Sequence, residues 1–508
     1  MNGSPFLELK GITKKFGSVV ANNNVNLTVN KGEILAILGE NGSGKTSLMN
    51  MLSGIYFPDA GKIYFEGKEV LIRSPKDAFA LGIGMIHQHF KLVDVLTAAE
   101  NIILGLPGSL RLNMKKVEED ILKVAQKYGF EINPSQKIYQ MSVSQKQTVE
   151  IVKMLYRGAK LLILDEPTAV LTPNEIEKLF NVLRNMKNEG HSIIIITHKL
   201  NEVLSLSQNV AVLRKGHFIG TVATSESTEK SLTEMMVGEK INLDIERPEP
   251  VDSALRLRVA NVTSFNPEGT CVLDNITFES FSGEILGIAG VAGSGQRELL
   301  EAIAGLQPLT TGSISYHGKT GTIKELTKMT AAAIRNLGVR LSFVPEDRLG
   351  MGLVASMGMT NNMMLRTYQK GRSWFNDRKN PRTLAEKIME ELKVVTPNVE
   401  APVGRMSGGN VQKVLVGREI ASSPRVLMVA YPVRGLDINA SYTIYGLLNE
   451  QKKHGAAVIC VGEDLDVLMA LCDRIMVLCG GKVTGIVDGR TCTKEQLGLL
   501  MTNSNTGN

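Results

Sequence analysis

The chain has 508 residues, too many for a single core, and its length predicts two or more domains. It carries 57 Lys and Arg against 51 Asp and Glu, a net charge of +6 with no run of five or more Lys/Arg. That argues against a nucleic-acid-binding arm and predicts an ordinary, mildly basic surface and no nucleic-acid partner.

Met1–Lys10 has neither a basic start nor an apolar stretch, so no signal peptide is read there. The longest apolar runs, such as Leu161–Leu164 and Ile193–Ile196, are strand-sized, and none reaches the eighteen or so residues of a membrane helix. Five cysteines (Cys271, Cys460, Cys472, Cys479, Cys492) are odd in number and form no C-x-x-C. They fit a reducing compartment and exclude a disulfide frame or zinc site.

Phe16 precedes the first buried strand and is read either as core or as a platform for a base. Glu33–Leu38 reads as that strand and Ser47–Leu52 as the opening of a helix. Between them, Gly39, Gly44, Lys45 and Thr46 fit G-x-x-x-x-G-K-[ST]. Gly39, Gly42 and Gly44 let backbone N–H groups face a polyphosphate. Lys45 then reaches the phosphates, the Thr46 hydroxyl ligates Mg²⁺, and the helix N-terminus favours the anion.

Ile83–Ile86 is strand-like and delivers Gln88, which can sense metal and water. Val117–Tyr128 has Ile121, Leu122, Ala125 and Tyr128 at helical spacing and predicts part of a helical subdomain. Leu161–Leu164 is a buried strand ending in Asp165 and Glu166. Alone this reads equally as an acidic turn; beside a phosphate loop, Asp165 becomes a Mg²⁺ holder and Glu166 a general base. Ser192–Thr197 is another strand, with His198 at its end, where it can touch a γ-phosphate.

The chain then repeats itself. Lys31–Gly39 returns as Ser282–Gly290, Met141-Ser142 as Met406-Ser407, and Pro167 as Pro432. The offset grows from 251 to 265, so the second copy holds about fourteen extra residues in a loop. The expected organisation is a first domain at 1–243, a connector at 244–254, a second domain at 255–501 and a disordered tail at 502–508. Alternating strands and helices predict an α/β fold with a largely parallel sheet in each copy. Thr383–Leu392, with Leu384, Ile388 and Leu392, predicts the second copy's subdomain helix. Ser407, Gly408, Gly409 and Asn410 open a helix and offer a hydroxyl and bare N–H groups to an anion.

Phe16, Gly39–Ser47, Gln88, Met141–Gln147, Asp165-Glu166 and His198 together resemble the ATP-binding-cassette ATPases, over both halves of the chain. The resemblance implies two tandem P-loop cassettes, each with a mostly parallel core, an antiparallel β part and a helical subdomain. It implies ATP and Mg²⁺ as cofactors. Phe16, Gly39, Asn41, Gly42, Gly44, Lys45, Thr46 and Ser47 would bind ATP; Thr46, Gln88 and Asp165 the metal; Glu166, His198 and Gln88 would act in hydrolysis. In such ATPases the signature of one cassette completes the site of the other, which assigns Ser407, Gly408, Gly409 and Asn410 to the first site.

The second site departs from that pattern. Gly290, Gly293 and Gly295 remain, but Gln296 and Arg297 replace the Lys and the metal-binding hydroxyl. Ala430 and Tyr431 replace the carboxylates, Glu346 the Gln and Glu463 the His. The signature that would face it, Ser142-Val143-Ser144, lacks both glycines, and Ser144 would crowd the phosphate approach. Every intact part falls in one cross-half site, which implies that the halves of one chain pair with each other and hydrolyse at one centre.

The tandem asymmetry is similar to the ATPase subunits of bacterial importers for simple sugars and nucleosides. Gly82–Val93 and Asp165–Pro173 resemble the nucleoside branch, with monosaccharides as the alternative. The resemblance implies a peripheral place on the cytoplasmic face of membrane permease subunits, with an extracytoplasmic solute-binding protein as an indirect partner. Residues near His89–Glu100 would pass motion to the permease.

Overall fold

A computed structural model describes residues 5–17, 19–87, 90–106, 113–168, 171–197, 199–238, 244–250, 253–318, 321–336, 339–366 and 377–502. Gln88, His89 and His198 lie outside the described residues. The chain divides into two compact units, Met1–Asn242 and Leu243–Asn508.

In the first unit the central sheet has six strands, in the order Ile83–Ile86, Leu161–Asp165, Ser192–Ile196, Ile34–Leu38, Asn209–Arg214, His217–Ala223. The first five run parallel and the last is antiparallel. The middle strands are buried along their whole length, as their unbroken apolar runs require of parallel strands covered on both faces. A separate four-stranded antiparallel sheet comprises Val19–Val29, Leu7–Phe16, Ala60–Phe65 and Lys68–Val70. Its alternating burial fits a sheet covered on one face, where Leu7, Leu9 and Ile12 join Leu35, Ile37 and Leu48 in one core.

The helices Ala98–Ile103, Met114–Tyr128 and Val143–Tyr156 enclose a small core of their own, from Ile102, Ile121, Ala125, Val149 and Val152. Met114–Tyr128 starts three residues earlier than its apolar spacing predicts, because the Asn113 side chain caps it. Likewise the phosphate-loop helix, Lys45–Leu52, begins at the lysine itself.

The second unit repeats the plan with the same strand order: Leu341–Val344, Val426–Ala430, Ala457–Val461, Ile285–Gly290, Arg474–Cys479, Lys482–Asp488. Its antiparallel sheet has Cys271–Phe281, Leu255–Phe265, Thr311–His317 and Ile323–Glu325, and its subdomain helices include Met359–Met364, Lys379–Glu391 and Gly408–Ala421. The sequence repeat is therefore a repeat of topology.

Two boundaries differ in detail from the sequence reading. Residues 244–250 of the connector are strapped to the second unit: Arg247 donates to the carbonyls of Met469 and Cys472, and the buried Lys452 ammonium to that of Pro248. Thr502 closes the last helix, Lys494–Thr502, with its hydroxyl on the Gly498 carbonyl at 3.2 Å. Cys460 and Cys472 are buried and pack as small apolar side chains.

Candidate active site

Three strand ends and one loop bring the first unit's site together. Parallel neighbours place Asp165 beside Ile196, and the Glu166 amide donates to the Ile196 carbonyl at 2.9 Å. The phosphate loop closes between Leu38 and the helix Lys45–Leu52. Gly44 sits at φ 98°, a conformation L side chains rarely adopt. A Cβ on Gly39 would lie 2.3 Å from the Leu213 carbonyl, so both positions require glycine.

Lys45 is buried, and its ammonium donates to the carbonyls of Gly39 at 2.7 Å and Glu40 at 3.0 Å. Burial lowers its pKa from the usual 10.5, while Glu166, Asp165 and Glu40 act the other way. The Thr46 hydroxyl donates to Asp165 at 3.3 Å. Burial, and then the neighbouring Glu166, raise Asp165 above the ordinary carboxylate range, against the Thr46 hydrogen bond and Lys45. A half-desolvated acidic pair beside a hydroxyl suits a divalent cation shared with phosphate oxygens. Among the described residues there is no group of three or more His, Cys, Asp or Glu that could hold a metal ion.

Glu166 lies at φ 47°, unusual for a residue with a side chain. Tyr431, its counterpart, lies at the same φ of 47°. The strained strand end survives in the second unit after its carboxylate has gone, so it belongs to the fold and not to Glu166 alone.

Phe16 is exposed and meets Tyr56 edge-on, ring centroids 5.0 Å apart. That settles the choice between core and surface for Phe16. Tyr56, four residues past the phosphate-loop helix, gave no motif signal and is found only through this contact. Asn41 is exposed on the loop and Ser47 is half-buried on the first helical turn.

The two signature helices start differently. Ser142 caps Val143–Tyr156 in a capping box with Gln145, and its hydroxyl lies 3.2 Å from that of Ser144. Ser407 caps Gly408–Ala421 and takes a hydrogen bond from the Asn410 amide group at 2.8 Å. A Cβ on Gly408 would meet an Arg348 nitrogen at 3.2 Å, and one on Gly409 the Ala440 Cβ at 3.3 Å and an Asp437 carboxylate oxygen at 3.6 Å. Among the described residues no backbone outside the helix itself comes within 4 Å of either added Cβ.

In each unit, a buried asparagine grips the segment that follows the Gln88 or Glu346 position. Asn101 accepts from the Val93 amide at 2.8 Å and donates to the carbonyls of Val93 and Thr97. Asn362 accepts from the Val354 amide at 2.8 Å and donates to those of Val354, Met357 and Gly358. Signature-helix cations hold the same segments: Lys153 bonds the Lys91 carbonyl at 3.3 Å, and Arg418 that of Gly352 at 2.8 Å. These four residues were not read from sequence, because a lone Asn or Lys on a helix carries no pattern.

In the second unit, Gln296 is buried and its amide donates to the Val291 carbonyl at 3.0 Å. Arg297 pairs with Glu301 at 2.6 Å. Glu346 and Glu463 both pair with Arg434, which the sequence reading passed over.

Among the described residues no helix is long and apolar enough to cross a membrane. The family described as ABC transporter matches residues 22–169 and 273–432, one stretch in each unit. The nucleoside import ATP-binding protein NupA of Lactococcus lactis subsp. cremoris (strain MG1363) is 40% identical over 512 residues, covering 99% of both chains. The guanosine import ATP-binding protein NupO of Bacillus subtilis (strain 168) is 39% identical, over 98% of this chain and 97% of that one. The glucose import ATP-binding protein TsgD13 of Haloferax volcanii is 39% identical, over 99% of this chain and 96% of that one. The matching cassettes, the phosphate loop and the full-length likeness agree: this chain belongs to the ABC transporter family, as an ATP-binding ATPase subunit with two fused cassettes.

Proposed function

We propose that the chain energises import of nucleosides, docked on the cytoplasmic face of membrane permease subunits that receive their solute from an extracytoplasmic binding protein. The observation that carries this reading is the 40% identity, end to end, with a nucleoside import ATP-binding protein. A second reading, the same role for a monosaccharide, is favoured by the 39% identity with a glucose import subunit. Uptake of labelled guanosine and labelled ribose by cells lacking the gene separates the two. Loss of guanosine uptake alone supports the first; loss of ribose uptake alone overturns it.

The mechanism follows from the first unit's geometry. Phe16 and Tyr56 offer an aromatic corner to the adenine. Backbone amides from Gly39 to Ser47 face the phosphates, and Lys45 leaves the loop carbonyls to reach them. Thr46 and Asp165, with Gln88, would hold Mg²⁺, which when bound neutralises charge on the phosphate oxygens. Glu166 takes the proton of the attacking water, and His198 steadies the γ-phosphate. Ser407, Gly408, Gly409 and Asn410 complete the site from the other half, pairing the two halves of one chain. The capped helix start, whose two glycines lie close to no described backbone outside their own helix, supports that role. Ser407→Arg tests it: turnover is expected to vanish although every first-unit motif is intact, and unchanged turnover would exclude the pairing.

A further inference from the structure

We propose that the second unit's phosphate loop takes an adenine nucleotide without a divalent cation, with the guanidinium of Arg434 standing where a cation serves the first unit. The proposal rests on the reading of both cassettes as nucleotide sites; it asks nothing of hydrolysis.

The cradle itself is kept. Gly293 and Gly295 lie at φ 85° and 98°, against 79° and 98° for Gly42 and Gly44. Gln296 bonds the Val291 carbonyl as Lys45 bonds that of Glu40. Backbone donors for a phosphate are thus arranged alike in the two loops. The residues that would hold a metal do not fit one. Arg297 replaces the Thr46 hydroxyl and Ala430 the Asp165 carboxylate. Tyr431 stands for Glu166, and its phenol is pushed up to about 12, by burial first and then by Glu463 and Glu346.

One side chain answers all three altered strand ends. The Arg434 guanidinium pairs with Glu346, pairs with Glu463 at 3.1 Å, and lies over the Tyr431 ring, 5.7 Å from its centroid. Its own carbonyl accepts from Arg348. Counting from Pro167 and Pro432, the residue at this position in the first half is Ala169. A planar guanidinium with several donors occupies two carboxylates at once, so neither is free to turn to a cation. Beside it an open hollow of about 400 Å³ is lined by Glu346, Asp347, Arg348, Leu349 and Arg434.

The charges follow the same logic. At the loop lysine and hydroxyl, the two carboxylates, Gln88, His198 and Ala169, the first half carries one fixed cation against two carboxylates. At the matching positions the second half carries two cations, Arg297 and Arg434, against two carboxylates. Arg297 is taken up by Glu301, and Arg434 alone serves both Glu346 and Glu463, so in the second half a fixed guanidinium stands among the strand-end carboxylates where the first half has none.

The test uses the full chain with Lys45→Ala, which removes the first loop's phosphate-facing cation, and trinitrophenyl-ATP as the probe, with the Arg434 variants assigning the remaining binding to the second loop. The expected result is equal affinity, within about threefold, in excess Mg²⁺ and in excess EDTA. Adding Arg434→Ala should weaken binding about tenfold in EDTA, with Arg434→Lys, which keeps the charge without the fork, in between. In the unsubstituted chain saturated with ATP, Mn²⁺ measured by electron paramagnetic resonance should bind once per chain. Release of the probe by EDTA, no binding by the Lys45→Ala chain, or a second bound Mn²⁺ would each overturn the proposal. Hydrolysis by the Lys45→Ala chain would instead remove the single-centre reading and leave the EDTA comparison to decide this one.

Discussion

Lys45 and Gln296 make the same hydrogen bond to a loop carbonyl, at 3.0 Å in each case, but only one can carry charge to a phosphate. Glu166 and Tyr431 share a strained φ of 47°, yet only the carboxylate can take a proton from water near neutral pH. Glu166→Gln keeps shape and hydrogen bonding and removes the base, so steady-state phosphate release should fall by about 10²–10⁴-fold while ATP binding persists. A fall of less than about tenfold would remove Glu166 as the base. The thiols give a second check at this scale. Burial pushes the Cys460 thiol up to about 12 and raises Cys472 as well, while Cys271 is exposed. In the native chain at pH 8, alkylation is expected to reach Cys271 first, and Cys460 and Cys472 only after denaturation. Rapid native labelling of Cys460 would contradict its burial.

Elements explain what could be read in advance and what could not. The strands Ile34–Leu38, Leu161–Asp165 and Ser192–Ile196 are written as unbroken apolar runs, and the structure buries every residue of them. The phosphate loop was legible because its glycines and lysine are adjacent in sequence. Arg434, Tyr56, Asn101 and Asn362 were not, because each matters through a partner that is distant or unpatterned: Asn101 through Val93, Arg434 through Glu346, 88 residues away. The asparagine clasps are a structural device found in both units. Asn101→Ala or Asn362→Ala strands buried amides and carbonyls of the gripped segment and should cost about 1–3 kcal/mol in chemical denaturation. A loss below about 0.5 kcal/mol would mean that water replaces the side chain. Glu419, buried between Arg366 at 2.6 Å and Arg418 at 2.8 Å, is of the same kind. Glu419→Gln should destabilise the chain by about 3–5 kcal/mol, since it leaves two guanidinium groups without their shared anion.

At the scale of the molecule, one topology is built twice and equipped once. The two units share strand order, strand-end strain, capped signature helices and asparagine clasps. They differ in the side chains at the strand ends and at the helix starts. The duplication keeps the strand-end and helix-start framework in both halves, while Lys45, Thr46, Asp165 and Glu166 have no like residues at the matching positions of the second half. A single hydrolytic centre per chain is expected, and phosphate release is counted with chain in excess over ATP in a single-turnover arm and with ATP in excess in a rapid-quench arm. The expected burst is one phosphate per chain, abolished by Lys45→Ala and by Ser407→Arg alike; a burst of two, or one that survives Lys45→Ala, would reveal a second working centre.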